Sequence, residues 1–167
     1  ILDAYNNKSI SNEDRFILIE NTINNNFAGA GIAKFVAGKS WSSASKETQK
    51  EYIQLFKKHL SLNISSLMQG YSDQEYSLLN SNFDESNNIS LIDMEIKNDS
   101  SSVLITWRIK NSKDRYFVID LLVADISLVV TKRSEFNSML KTVNYNLKEL
   151  NKKLGEQNNI SYNKLIN

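Results

Sequence analysis

The chain has 167 residues, 41% of them hydrophobic and 10% aromatic, and a formal net charge of +1. That is one domain's worth of sequence, able to bury about 70% of its unfolded surface and so to hold a sizeable core with room for a pocket. The near-neutral balance excludes the basic excess that drives nucleic-acid binding, and the lack of cysteine excludes disulfides and thiolate metal sites. No run reaches the roughly 18 to 20 uninterrupted apolar residues of a membrane span. The best candidate, "DLLVADISLVVTKRSEF" at 120–136, is divided by Asp120, Asp125 and Lys132. The sequence starts at Ile1 rather than Met, which permits a removed secretory signal.

In chain order, helices come first. In "SNEDRFILIENTINNNF", Ser11 is an N-cap, Glu13 and Asp14 favour the positive end of the helix dipole, and Phe16, Ile19 and Ile23 recur at helical spacing. "FAGAGIAKFVAGKSW" reads as a short helix stopped at Gly38, with Phe27, Ile32, Phe35 and Trp41 as its bulky members. "SKETQKEYIQLFKKHLSLNISSLMQGY" is the strongest helix, capped by Ser45 and striped by Tyr52, Phe56, Leu60, Ile64 and Leu67. The period then changes from 3.6 to 2, and four strands follow at about 75–82, 89–98, 101–110 and from 114. Ile92, Met94 and Ile96 alternate with polar residues in the second, as do Val103, Ile105, Trp107 and Ile109 in the third. The short connections "NDSS" and "NSKD" favour antiparallel hairpins. "SEFNSMLKTV" and "NLKELNKKL" read as two short closing helices. Residues 1–10 and 156–167 are expected to be poorly ordered around a single domain spanning 1–167. The class is α+β: N-terminal helices on a curved four-stranded antiparallel meander with C-terminal closing helices.

Little in the chain suggests catalysis. His59 is the only histidine and lies beside Leu60 on the apolar helix, so packing is the simpler role for it. Asp93 and Glu95 share a strand face that alternation turns to solvent. No glycine-rich phosphate loop, HExxH or GxSxG is present. What stands out is the number of large rings on the inner surfaces of both layers. They fill a solid core or line a cavity for an apolar ligand, and patterning leaves both open.

The segment "YFVIDLLVADISLVVTKRSEFNSMLK" resembles the signature of the MlaC family of periplasmic phospholipid-binding proteins, also called toluene-tolerance auxiliary proteins. Asp120, Ile126, Ser127, Leu128, Val129, Arg133 and Phe136 match its pattern as they stand. Upstream, Gly38, Trp41, Ser45, Tyr52, Phe56 and Leu60 fall in register with the family's helix, Gly, Trp and Ser-cap run, so the likeness covers about residues 12–154. Asp125 stands where the family has Gly, Lys132 and Ile64 where it has Tyr, Tyr116 where it has Trp, and Asn144 where it has another Gly. Asp and Asn both tolerate the left-handed conformation, and Asn146 is placed to cap the last helix.

The resemblance implies a cystatin-like sheet and a periplasmic phospholipid carrier, with lipid as cargo rather than cofactor and no metal. Its partners would be an outer-membrane lipoprotein complex and an inner-membrane ABC transporter complex. Acyl chains would lie against Phe27, Phe35, Trp41, Tyr52, Phe56, Leu60, Leu67, Trp107, Val118, Val129, Phe136 and Leu140. Residues 126–130 would run beneath the sheet into a helix begun at Ser134. Alternation puts Asp120 on the face of Val118 and Leu122, where a lone carboxylate is costly, so an Asp120–Arg133 ion pair is expected. Two rivals remain: an enzyme of a related cone-shaped α+β fold, with Asp120 beside Tyr52 or His59, and a partner-binding module without ligand.

Overall fold

The computed structural model describes residues 7, 9–69, 74–97, 101–112 and 114–167. Most of residues 1–10, the end of the helix expected to reach Tyr71, and parts of the turns expected at 98–101 and 111–114 lie outside this set. The elements are α1 (Asn12–Asn26), α2 (Gly29–Ala37), α3 (Lys39–Ser43), α4 (Lys46–Met68), β1 (Glu75–Asp84), β2 (Ile89–Lys97), β3 (Ser102–Ser112), β4 (Arg115–Val123), β5 (Ile126–Ser127), α5 (Leu128–Lys141) and α6 (Leu147–Ile166). The strands form one antiparallel sheet in the order β1-β2-β3-β4-β5. The α+β class and the meander hold, with a fifth short strand added.

The helix starts follow from their caps. Ser11 Oγ accepts from the Asp14 N–H at 3.1 Å, and Ser45 Oγ from the Thr48 N–H at 3.1 Å. Asn146 Oδ1 accepts from the Lys148 and Glu149 N–H groups. Gly38 ends α2 at φ 56 and ψ −130, a backbone conformation open essentially to glycine alone, and so turns the chain into α3. Ala124 and Asp125 both have positive φ, 47 and 64, and join the paired Val123 and Ile126 as a two-residue hairpin turn. Asn144 is left-handed as well, at φ 50.

The core forms where α1, α2, α4, α5 and α6 converge on the sheet. Ile19, Ile23, Ile32, Val36, Tyr52, Phe56, Leu60, Phe136, Leu140, Leu150 and Leu154 are buried in it, and Val118 joins them from β4. Phe27 pairs in parallel with Val118, and the Ala28 N–H donates to the Val118 carbonyl at 2.9 Å, so the entry to α2 covers part of the β4 edge. The C-terminal segment, expected to be poorly ordered from 156, is helical to Ile166. Buried Asn151 and Asn158 donate to the α4 carbonyls of Thr48 and Leu55, and Leu165 is buried with Phe16 and Leu62. Asparagine amides reaching another helix's backbone leave no apolar periodicity to read.

Two expectations at the end of the sheet are corrected. Helix α5 begins at Leu128, not Ser134, because Ser127 caps it by accepting from the Val130 N–H at 3.0 Å. The expected Asp120–Arg133 pair is absent: Asp120 meets Arg108 at 3.5 Å, and Arg133 lies against Phe35. The reason is a bulge. Val118 pairs with Ile109 but Asp120 with Arg108, so the register shift puts Val118 and Asp120 on opposite faces although they are two apart. Asp120 is nonetheless buried. It accepts from the Leu121 N–H at 2.8 Å, the Ser127 hydroxyl at 2.6 Å and the Val129 N–H at 3.1 Å.

Asp120→Ala is therefore expected to lower unfolding free energy by about 3 kcal/mol, since buried charge-assisted hydrogen bonds are lost together. Arg108→Ala, with its partly exposed guanidinium, should lower it by under about 1 kcal/mol. Urea denaturation of the single and double variants checks this. A coupling above about 1 kcal/mol between Asp120 and Arg133 would contradict the assignment.

Candidate functional site

The cross-strand register assembles an apolar face that no single strand reveals. Tyr76, Ile96 and Val103 form one row across the sheet; Leu78, Met94, Ile105, Val123 and Ile126 form the next. Ser81, Ile92, Trp107 and Leu121 make a third row, and Phe83, Ser90, Ile109 and Val118 a fourth. At ordinary strand spacings this ladder is about 19 Å wide and roughly 20 Å long. The other face carries Asp93, Glu95, Thr106 and Lys110, with Thr106 Oγ1 donating to Asp93 at 2.7 Å.

The helices cover this ladder unevenly. Trp107, Leu121, Ile109 and Val118 pack against the main core. At the other end Leu78 is 68% exposed, Tyr76 48% and Val103 41%, and Val123 and Ile126 are exposed beside them. Val130, on the first turn of α5, is exposed too. The apolar face is thus covered along its middle, where Met94 is buried and Ile96 packs against the main core, and open along its edges, where Phe83 in the fourth row is 59% exposed as well.

Of the residues expected to touch acyl chains, Tyr52, Phe56, Leu60, Val118, Phe136 and Leu140 come together in the closed core, with Phe27 at its edge. Tyr52, Phe56 and Phe136 are fully buried, with ring centroids 5.3 to 6.2 Å apart. They fill space rather than line it, and Phe56→Asp would therefore unfold the protein instead of emptying a pocket. Trp41, Trp107 and Val129 pack at the core's margin. Phe35 is 43% exposed beneath the Arg133 guanidinium. Leu67 is 73% exposed: the α4 stripe continues through Ile64 to Met68, and Leu67 turns outward. The open rows carry residues the sequence reading left unassigned, Tyr76, Leu78, Val123 and Ile126 among them. Alternation was visible within β2 and β3, but joining it to β1 and β4 needed the register.

A second feature lies on the helical side. A cleft of about 510 Å³ opens between α2, α3 and α5 and is lined in part by Lys39, Ser40, Arg133, Asn137, Leu140 and Tyr145. Of the expected site residues, only Arg133 and Leu140 border it.

Asp120, Tyr52 and His59, the groups weighed for acid and base chemistry, do not form hydrogen bonds with one another among the described residues. The oxygens of Asp120 are filled by the hydrogen bonds given above. The buried Tyr52 hydroxyl has no hydrogen-bond partner among the described residues, and burial pushes its pKa well above the phenol range. His59 packs edge-on to Phe136 with centroids 5.3 Å apart. Next to it, buried Lys132 donates to Asn63 Oδ1 and Glu135 Oε2, both at 2.7 Å, and ties α5 to α4. No group of three or more His, Cys, Asp or Glu residues able to hold a metal ion occurs among the described residues, and no helix there is long and apolar enough to cross a membrane.

Burial, helped by the Lys132 charge, lowers the His59 pKa from 6.5 to about 4, against the pull of Asn158 and Glu135. The folded state thus disfavours the protonated ring, and the unfolded chain takes up a proton as pH falls below about 6.5. The contribution of His59 to stability is complete above that pH. About 3 kcal/mol of it is lost between pH 6.5 and 4. Urea melts across this window should show a shallower decline in His59→Gln than in the wild type, and equal slopes would contradict the burial of the ring.

Comparison with known proteins agrees with this architecture. The family model described as MlaC protein matches residues 1–156. The solved structure of a phospholipid-binding protein from Ralstonia solanacearum, in complex with a phospholipid, superposes with a TM-score of 0.81. Its sequence identity is 16%, and the match covers 96% of this chain and 92% of that one. At that identity the likeness is one of fold. No curated protein matches the chain. With the family model matched over nearly the whole length, the chain belongs to the MlaC family.

Proposed function

We propose that the protein is a soluble periplasmic phospholipid carrier, working as a single lipid-binding domain. It holds acyl chains against the exposed edge residues of the apolar sheet face and shuttles lipid between an outer-membrane lipoprotein complex and an inner-membrane ABC transporter complex. The observation that carries this reading is the ladder itself: two rows, from Tyr76 to Val103 and from Leu78 to Ile126, whose edge residues are exposed around buried Met94 and core-packed Ile96. A group of exposed apolar side chains on one face is a candidate binding surface. Family membership supports a lipid cargo, as does the phospholipid held by the Ralstonia solanacearum protein that shares the fold.

The energetics suit a carrier. Each buried methylene contributes about 0.8 kcal/mol, so two chains of roughly 16 carbons represent on the order of 25 kcal/mol of gross transfer free energy. A protein that takes lipid from a bilayer must offer comparable apolar contact. The reading is of a binding protein rather than an enzyme, because Asp120 is occupied structurally and neither Tyr52 nor His59 has a hydrogen bond to it.

Purified protein is expected to yield phospholipid on organic extraction and to take up fluorescent phospholipid from vesicles. Leu78→Asp and Val103→Asp, at exposed positions, should keep the wild-type circular dichroism and lose lipid uptake at least about tenfold, because a carboxylate resists apolar burial. A lipid-free extract together with no uptake would overturn the carrier reading. Wild-type uptake by both variants would remove the open rows as its site.

A further inference from the structure

The cleft between α2, α3 and α5 is built differently from the apolar ladder. Its wall brings together Lys39, Ser40, Ser43, Arg133, Asn137 and Tyr145. Two of these are cations, and neither forms a salt bridge among the described residues. No acidic residue lines the cleft.

Arg133 is held ready for a ligand. Its Nη1 donates to the Phe35 carbonyl at 3.1 Å, and its guanidinium stacks over the Phe35 ring at 4.3 Å from the centroid. Those contacts fix the plane of the fork and leave Nε and Nη2 uncommitted among the described residues. Nη2 approaches Gly38, the glycine that turns α2 into α3. A planar guanidinium held in place on one side suits two-point recognition of a phosphate or carboxylate on the other.

Ser40 belongs to the cleft wall and is 2% exposed, so it gives the wall a fixed floor beside Lys39. Asn137 and Ser43 add neutral donors. At about 510 Å³ the cleft also has room for more than an inorganic ion.

We infer that this cleft is a binding site for a phosphate-ester anion, with Arg133 and Lys39 neutralising the phosphate. A phosphate-ester group reaches the protein in two forms, as a phospholipid headgroup or as a free soluble ester. The cleft chemistry is shared by both. The inference adds a polar subsite to the proposed carrier, but it stands on these side chains and not on the apolar ladder.

The test follows the Arg133 Nε–H and the Lys39 and Ser40 backbone amides by NMR. Labelled protein is titrated with inorganic phosphate, with tail-less glycerophosphoethanolamine, and with phosphatidylethanolamine in detergent micelles, against empty micelles. All three sets of resonances should shift with glycerophosphoethanolamine, with the lipid, or with both. Arg133→Gln should weaken the interaction about ten- to a hundredfold, and Lys39→Gln should weaken it to a smaller extent. A shift with inorganic phosphate of equal affinity would mark a site for free phosphate and contradict the ester assignment. Lack of response to all three probes would overturn the site. Because Arg133→Gln removes contacts to Phe35, Lys39→Gln serves as the variant that leaves the helix packing intact. If the protein carries lipid but these resonances stay fixed, this inference fails alone. If it carries no lipid and they shift with the soluble ester, the carrier reading fails and the site stands.

Discussion

The Asp120 carboxylate is the group on which the far end of the sheet depends. It accepts from the strand that bears it, from the hydroxyl of Ser127 and from the second residue of α5, with Arg108 alongside. One buried anion thus satisfies donors at a helix N-terminus, where the helix dipole favours negative charge, and fixes where β4 stops and α5 starts. The bulge opposite Arg108 brings it there. The arrangement also sets the direction of α5, whose Phe136 and Leu140 enter the core while Arg133 turns to the cleft.

From that anchor the molecule acquires two unlike halves. Near Val118, Ile109 and Trp107 the apolar side of the sheet lies under helices, and the aromatic cluster of Tyr52, Phe56 and Phe136 closes the space. Around buried Met94 and core-packed Ile96 the same side is exposed at its edges, at Tyr76, Leu78 and Val103.

Much of the fold was legible in the sequence, because local rules and tertiary structure agree there. Ser11, Ser45 and Asn146 cap helices as their types suggest, and the change from helical to alternating spacing marks the strands. The misplaced ion pair has a clear cause, which is that a single register shift is invisible in a list of residues. Counting by twos from Val118 put Asp120 on the inner face and paired it with Arg133, whereas the bulge gives it to Arg108. The start of α5 was masked by the run of β-branched residues around Val129, which hid the cap at Ser127. Of the aromatic residues singled out by size, Tyr52, Phe56 and Phe136 form the tightest part of the core, whereas Trp41 and Trp107 sit at its margin and Phe35 is exposed. The open rows were harder to see: β1 reads as polar, with asparagine and serine interrupting Tyr76, Leu78 and Phe83, and only its pairing with β2 shows which of its residues share a face.

The central claim is that acyl chains lie on the open rows of the sheet. Its most direct measurement is photo-crosslinking with a phospholipid that carries a diazirine near the end of one acyl chain, followed by peptide mapping. The account predicts adducts on β1, β2 and β3 among Tyr76, Leu78, Ile96, Val103 and Ile105. Adducts confined to the α2, α3 and α5 cleft, with none on the sheet, would contradict it.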